Sequence, residues 1–496
     1  LATMLDRLGA YMKYSGQNLL TYPLVWYQGR IGDKYNPRNH PEDFLQAVLT
    51  QFDRDGLGFM ASFNQHNIYF PDVVINQGRI DGGELHDTPI SIWNTGKPNP
   101  GGWHGTSPNF NILHPGVQAN ILANVDHFLA IGAPHPSFKG INLHLTKHCL
   151  AWFGNLEAGY NDYVIDAFTR DTGVAVPVPR DDPMRGRAYY EWLMANAREQ
   201  WIDWRCRAVA QFYLRIAARL RAARPDLRLN LCNFTPMADT KSDIFRAEDF
   251  AEQVYRGAGL DPKHLVRDPS ITVVQTTYPA DYRWRRGRRT EARNFAHLRT
   301  FDLLPGTYSL LREAPAPWLH MHDRYWESAM GRQRGKGWDG PGKGKIGQWF
   351  HEQGWRVSTL NPAGYHAMRH YVAPLRFNDL LGITKGGFLV GTHGMEPHLV
   401  PFAKAFRALP ARRFQDVQAG TDTLKVRQLA LDGKTWFYVV NTAARPATAS
   451  LTLSLPAADL LDGKVVPAGA WHLPLAPYEF RSFRAAGSLK IGAGEK

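Results

Sequence analysis

Hydrophobic and polar positions follow two alternating periods along the chain up to residue 411. Short runs with a period of two, or with continuous apolar character, predict strands at 19–27, 57–63, 141–145, 227–234, 271–278, 318–322 and 386–390. Between them, apolar residues spaced by three or four predict helices at 1–16, 41–56, 117–129, 189–223, 248–255, 291–301, 363–381 and 397–409. Strands that alternate with helices are typical of parallel β-α units.

This alternation predicts an α/β fold, a (β/α)8 TIM barrel occupying residues 1–411. The pattern contains one strand fewer than such a barrel requires. Because the chain begins in a helical pattern, the simplest interpretation is a first strand upstream of Leu1. A genuine seven-stranded barrel is the alternative. The first residue is not Met, so a leader that has been removed is also compatible with this start.

The pattern of hydrophobic and polar residues changes after residue 411, where strand-like segments follow one another without helices. Residues 423–443 predict a hairpin that turns at Asp432-Gly433, and two further alternating segments follow it. We therefore expect a small antiparallel β-sandwich domain at 412–486 that covers one side of the barrel. Residues 487–496 are expected to form a flexible tail.

The most informative stretch runs from 140 to 163, where a short alternating strand breaks into a loop. The loop carries His148, Trp152, Asn155 and Glu157. In a TIM barrel the active site lies at the carboxyl ends of the strands, which is where this loop begins. Glu157 is thus a catalytic candidate, whereas a lone glutamate in a loop is more often a solvated surface residue.

Polar or aromatic residues recur at the ends of the other predicted strands as well. Each one alone is typical of an ordinary loop residue, but their repetition at the same end of successive strands indicates a binding cleft. The substrate-binding candidates are Trp26, Asn64, His148, Trp152, Asn155, Asn233, Gln275, Tyr278, His322 and Trp326, with Trp152 and Trp326 as stacking platforms for sugar rings.

Composition limits the class of protein. The chain has 496 residues, 44% of them hydrophobic and 21% charged, which is typical of a globular protein with a large core. It contains no apolar run of roughly 18 residues, so we expect no membrane span. The three cysteines, Cys149, Cys206 and Cys232, have no metal-ligand spacing and cannot all pair in disulfides.

The formal net charge of +13 favours polyanionic partners. No helix-turn-helix, zinc-finger or RNP pattern accompanies it, so nucleic acid is a weaker candidate than an acidic polysaccharide. Two basic stretches follow predicted strand ends, one at 283–289 that includes Arg285 and Arg286, the other at 332–345. They are either solvated loops or binding sites for an anionic sugar.

The segment FGNLEAGYNDYVIDAFTRDTGV, together with a small β-sandwich that ends DLLDG…LPLAPYEFRSF, resembles the retaining glycoside hydrolases of the (β/α)8-barrel clan. The resemblance is to family 42 β-galactosidases and family-10-like glycosyl hydrolases. It implies hydrolysis of O-glycosidic bonds in a poly- or oligosaccharide by two carboxylates. A secreted or periplasmic location would suit such an enzyme. The sequence does not indicate an oligomeric state.

In that clan the acid/base is a Glu in an Asn-Glu setting after the fourth strand, and the nucleophile is a carboxylate at the end of the seventh. The resemblance carries these roles to Glu157, here separated from Asn155 by Leu156, and to Asp323 or Glu327. It implies no cofactor. His320 and His322 have a metal-compatible spacing but no third ligand, so no metal is expected.

Two other function classes remain open from the sequence. One is a catalytically inactive barrel that binds glycans, which the inserted Leu156 favours. The other is a nucleic-acid-binding protein, which rests on charge alone.

Overall fold

The computed structural model describes residues 1–28, 42–67, 74–76, 79–81, 88–98, 109–146, 149–233, 247–276, 305–321, 365, 368–385 and 395–494. Within these ranges the chain forms one parallel sheet with its surrounding helices, a two-stranded antiparallel hairpin of Val74–Asn76 and Arg79–Asp81, and further antiparallel sheets at its C-terminal end. None of the described helices combines the length and the apolar character that crossing a membrane requires.

A seven-stranded parallel sheet forms the centre of the molecule. Its strands are β1 Leu19–Gln28, β2 Gly58–Asn67, β3 Phe138–Leu145, β4 Arg228–Asn233, β5 Ile271–Thr276, β6 Pro317–Met321 and β7 Gly382–Lys385. Each strand pairs in parallel with the next one along the chain. Crossovers between parallel neighbours are right-handed as a rule, which puts the connecting helices on one face and curls the sheet toward a barrel. The predicted α/β class and parallel sheet are confirmed.

The helices are α1 Ala2–Ser15, α2 Glu42–Asp55, α3 Pro115–Gly132, α4 Asp162–Thr172, α5 Arg185–Asn196, α6 Arg198–Ala223, α7 Phe250–Gly257, α8 Arg369–Val372 and α9 Glu396–Arg407. Two predictions here were wrong. The single helix at 189–223 is divided in two because Ala197 leaves the helical region, with φ at −144°. The helix predicted to reach residue 381 gives way to a 3₁₀ turn at Ala373–Arg376, which contains Pro374.

Helix α9, after the last strand, packs against α1, before the first strand. The Tyr11 hydroxyl donates to Glu396 Oε1 at 3.1 Å, and Arg407 Nη1 donates to the Gly16 carbonyl at 2.9 Å. Gly16 ends α1 with φ at 77° and approaches Ala403 so closely that a Cβ there would lie 2.8 Å from the alanine methyl. The helices at the two ends of the parallel sheet therefore contact each other.

The two faces of the sheet differ in polarity because side chains alternate along each strand. On β3, Ile141, Leu143 and Leu145 belong to the core shared with the helices. Asn142 lies on the opposite face, where its amide donates to Ser62 Oγ on β2 at 2.8 Å. The predicted alternation thus separates a helix-facing apolar side from an inner polar side.

The C-terminal strands are β8 Gln415–Asp416, β9 Leu424–Leu431, β10 Lys434–Asn441, β11 Ala447–Leu453, β12 Ala457–Asp459, β13 Val465–Val466, β14 Gly469–Leu475, β15 Phe480–Ala485 and β16 Ile491–Ala493. They form a six-stranded sheet and a three-stranded sheet around a second apolar core. The hairpin turns at Asp432 and Gly433, both with positive φ, as predicted. Within residues 487–496, β16 pairs with β11, and Leu489 is buried in the second apolar core.

A buried carboxylate joins the C-terminal sheet to the parallel sheet. Asp379, just before β7, accepts hydrogen bonds from Arg427 Nη1 at 2.8 Å, from the Phe414 amide at 2.8 Å and from the Tyr438 hydroxyl. Asp379 is 6% exposed and Arg427 is 5% exposed. Burial alone would lower the pKa of Arg427, but the charges of Tyr438 and Asp379 outweigh it and raise that pKa.

We expect Asp379→Ala to lower the free energy of unfolding by up to about 3–5 kcal/mol, because it removes the buried carboxylate partner of Arg427 and leaves that guanidinium only the exposed Asp416, 2.6 Å from its Nε. Urea unfolding of the purified variant measures this. The control is Asp126→Ala, which removes the partner of Arg219 at an exposed position and should cost less than about 1 kcal/mol. Equal losses in the two variants would contradict this account.

Candidate active site

The loop 149–161 follows β3 at the carboxyl edge of the sheet, the edge where barrel enzymes bind their substrates. It has no helix or regular strand of its own, yet much of it is buried. Buried backbone groups need hydrogen-bond partners. Two neighbouring parts of the molecule supply them, the segments 88–98 and 109–112 on one side and α6 on the other.

The first side anchors the backbone around Glu157 to the segment 88–98. The Asn94 amide donates to the Glu157 carbonyl at 2.8 Å. The amides of Gly159 and Tyr160 both donate to the Ile92 carbonyl, at 2.9 and 3.0 Å. These contacts fix the main chain on either side of the carboxylate.

Asn161 connects the loop to the same segment through its side chain. Its Oδ1 accepts from the Ile92 amide at 3.1 Å and from Asn111 Nδ2 at 2.9 Å, and its Nδ2 donates to the Ile90 carbonyl at 2.8 Å. Because both ends of the amide are engaged, its orientation is fixed. The residue is 0% exposed and stands immediately before α4.

Arg205 of α6 anchors the other side. Its guanidinium donates to the carbonyls of Asn155 at 2.9 Å, Leu156 at 3.1 Å and Ala158 at 3.0 Å. It also lies over the Phe153 ring, 4.0 Å from the ring centroid.

Gly159 allows the loop to turn back toward α4. Its φ is 96°, and a Cβ at this position would lie 2.6 Å from the Phe153 ring. Any side chain would therefore meet both backbone strain and a clash. The loop conformation thus depends on glycine here.

Glu157 itself is half-buried, on a backbone held from both sides. Its backbone has a restricted position and its side chain keeps access to solvent, an arrangement that suits an acid, a base or a sugar-binding group. Asn155 is half-buried too, and its Oδ1 is fully buried without a hydrogen-bond partner among the described residues.

Three of the predicted binding residues lie in packed surroundings. Trp152 is 1% exposed, stacks on Tyr255 and donates its indole N–H to the Thr146 carbonyl at 2.7 Å. Asn233 and Gln275 are opposite each other in the β4–β5 register and buried. Strand alternation puts both on the helix-facing side with Leu231, and Gln275 donates to the Thr307 carbonyl.

The remaining predicted residues are not described at the side-chain level. Asp323, Glu327, His148, Tyr278, His322, Trp326, Arg285 and Arg286 lie outside the described residues. Trp26 and Asn64 are described in their backbone only, where they pair with each other between β1 and β2. The separation of the two carboxylates therefore stays a prediction.

Sequence reasoning missed three residues near the loop. His144 is half-buried and shares the inner face of β3 with Asn142, a position that the alternation indicates. Arg205 occupies the buried stripe of α6 that also contains Trp201 and Val209, so its four-residue spacing was a signal. Asn161 had no signal in the sequence because its partners are 50 to 73 residues away.

The described titratable clusters elsewhere have structural roles. Cys149, Cys206 and Cys232 are buried free thiols, and burial raises the pKa of each to about 12, which makes them poor nucleophiles. Asp203, Asp261 and His264 come together as a metal centre would. However, the Lys263 ammonium lies 3.1 Å from Asp203 and 3.0 Å from Asp261, where it takes the place of a cation.

No family model and no curated protein matches the chain. Among solved structures it is similar to an α-amylase from Lactobacillus plantarum (10% identity, 98% of this chain and 94% of that chain, TM-score 0.45). It is also similar to an α-amylase from Geobacillus thermoleovorans complexed with acarbose (10% identity, 99% of this chain and 92% of that chain, TM-score 0.44). A third similar structure is isomaltulose synthase from Klebsiella sp. LX3 (10% identity, 98% of this chain and 94% of that chain, TM-score 0.43). Similarity at this level does not identify a family.

We expect Asn161→Asp to destabilise the fold by about 2 kcal/mol or more, because it replaces a donor by a charged acceptor facing a buried carbonyl. Urea unfolding measures the loss, and hydrogen exchange should become faster at the amides of Gly159 and Tyr160. The control is Asn196→Asp, whose exposed amide also donates to a backbone carbonyl. Equal behaviour of the two variants would refute the role of Asn161.

Proposed function

We propose that the chain is an O-glycoside hydrolase that acts on a poly- or oligosaccharide at the carboxyl edge of its parallel sheet. The observation that carries the proposal is the position of Glu157. It is a half-buried carboxylate beyond the end of β3, on a loop whose backbone is held by Asn94 on one side and by Arg205 on the other. A restrained carboxylate at this edge is what acid-base catalysis requires.

In this proposal Glu157 is the acid/base and Asp323 or Glu327 is the nucleophile. Glu157 donates a proton to the glycosidic oxygen as the bond to the leaving group breaks, and the nucleophile forms a covalent bond to the anomeric carbon. Water, deprotonated by Glu157, then hydrolyses that intermediate. This retaining course needs carboxyl groups about 5–5.5 Å apart, whereas an inverting course needs about 6.5–9.5 Å.

The proposed substrate is an anionic glycan. The net charge of +13 attracts polyanions, and the basic stretches at 283–289 and 332–345 follow strand ends in the sequence. Arginine forks bind carboxylate and sulfate groups in two-pronged geometry, so Arg285 and Arg286 are the proposed contacts to acidic sugars.

A glycan-binding protein without catalysis is the second candidate. The loop is drawn toward the helical layer, where the Phe153 amide donates to the Ala258 carbonyl at 3.2 Å and Leu150 and Trp152 join the main core. Glu157 on such a loop serves binding if no second carboxylate lies opposite it. Measured binding without turnover would favour this function.

We expect Glu157→Gln to lower kcat by at least about a hundredfold on the best substrate of an acidic and neutral glycan panel, because it removes the proton that leaves with the aglycone. The unfolding midpoint should stay unchanged, since the side chain is only half-buried. The control is Glu191→Gln, which removes an exposed carboxylate paired with Arg187 on α5. Near-normal turnover by Glu157→Gln would remove Glu157 from the mechanism.

A further inference from the structure

Arg205 is a fully buried cation, 0% exposed, in the middle of the helical layer. Among the described residues no carboxylate lies within ion-pair distance of its guanidinium. Two other arginines on the same helix do have carboxylate partners: Arg207 pairs with Asp203, and Arg221 pairs with Asp268. A buried charge without a partner costs free energy, so its presence requires compensation from other groups.

The compensation comes from the loop 149–161. Nη1 and Nη2 of Arg205 bind the carbonyls of Asn155, Leu156 and Ala158, and the guanidinium lies over the ring of Phe153. Trp201, one helical turn earlier, lies 5.6 Å from it on the same helix. Carbonyl dipoles and ring faces therefore replace the missing counter-ion.

The three carbonyls belong to residues on both sides of Glu157, and the carbonyl of Glu157 itself accepts from Asn94. All four carbonyl groups from Asn155 to Ala158 thus have fixed partners. Three hydrogen bonds from the Arg205 guanidinium and one from the segment 88–98 therefore hold the main chain around the Glu157 Cα. This holds the backbone of Glu157 against displacement in either direction along the loop.

The surroundings of Arg205 act on its own charge. Burial lowers the pKa of Arg205, and the neighbouring Tyr160, Cys206 and Glu157 oppose that shift. The charge of the half-buried Glu157 thus contributes least of the three, from beyond ion-pair distance.

We propose that Arg205 is a positioning residue for Glu157: it holds the carboxylate in the geometry that catalysis needs, without touching substrate. This inference rests on the proposed role of Glu157. A lysine keeps the positive charge but cannot bind three carbonyls of a loop in one planar fork, so Arg205→Lys separates charge from position.

For Arg205→Lys we expect kcat to fall about 10- to 100-fold with KM nearly unchanged, because a carboxylate displaced by about 1 Å weakens transition-state contacts rather than substrate binding. A purely structural role would lower the unfolding midpoint and leave the kcat of the folded fraction intact. The control is Arg207→Lys, two residues away on the exposed face of α6, which should leave kcat and KM at their normal values.

The double variant Arg205→Lys/Glu157→Gln tests whether Arg205 acts through Glu157. If it does, the double variant loses no more kcat than Glu157→Gln alone, because the group being positioned is already absent. Losses that multiply would overturn the inference. Normal turnover by Glu157→Gln would instead overturn the proposed function, so the two failures are distinguishable.

Hydrogen exchange gives a readout that does not depend on activity. In Arg205→Lys the amides of Phe153, Gly159 and Tyr160 should exchange faster, while those of β4 should keep their normal rates. Unchanged exchange in the loop would show that Arg205 does not hold it, and would refute the inference even if no hydrolysed glycan had been found.

Discussion

The loop that carries Glu157 depends on a requirement of the backbone: buried N–H and C=O groups must be paired, and this loop forms no regular structure to pair them. Its partners come instead from distant parts of the chain. Ile92 and Asn94 pair with its main chain, Asn161 joins it to the same segment, and Arg205 binds three of its carbonyls. The parallel sheet and α6 bring these partners together, so the scaffold determines where the backbone of Glu157 lies.

The sequence pattern predicted the scaffold well because it depends on local periodicity. The alternation predicted the bounds of the first six strands of the sheet to within four residues of the observed ones. Asp432 and Gly433 specified the hairpin turn because both adopt positive φ. It failed where tertiary contacts decide. Ala197 is a good helix former that nevertheless divides two helices, and the short strand β7 lies at Gly382–Lys385, whereas the residues predicted for it, 386–390, lie outside the described part.

The candidate site was less predictable, for physical reasons visible in single residues. Alternation along β5 puts Gln275 on the helix-facing side with Val273, but the prediction took account only of its place near the end of the strand. Gln275 was therefore expected in the cleft, although its amide binds a carbonyl of the helical layer. Trp152 looks the same in sequence whether it stacks on a sugar or on Tyr255. The role of Arg205 requires partners about fifty residues away, which one sequence does not reveal.

The central claim is that Glu157 and a carboxylate after β6 form one catalytic pair. The most direct measurement is a crystal structure of the protein with an unreactive substrate analogue, read for the distance from the Glu157 carboxyl group to those of Asp323 and Glu327. The account predicts that one of these distances is about 5–5.5 Å, with the glycosidic bond between the two groups. Separations above about 10 Å to both, beyond even the inverting range, would contradict it.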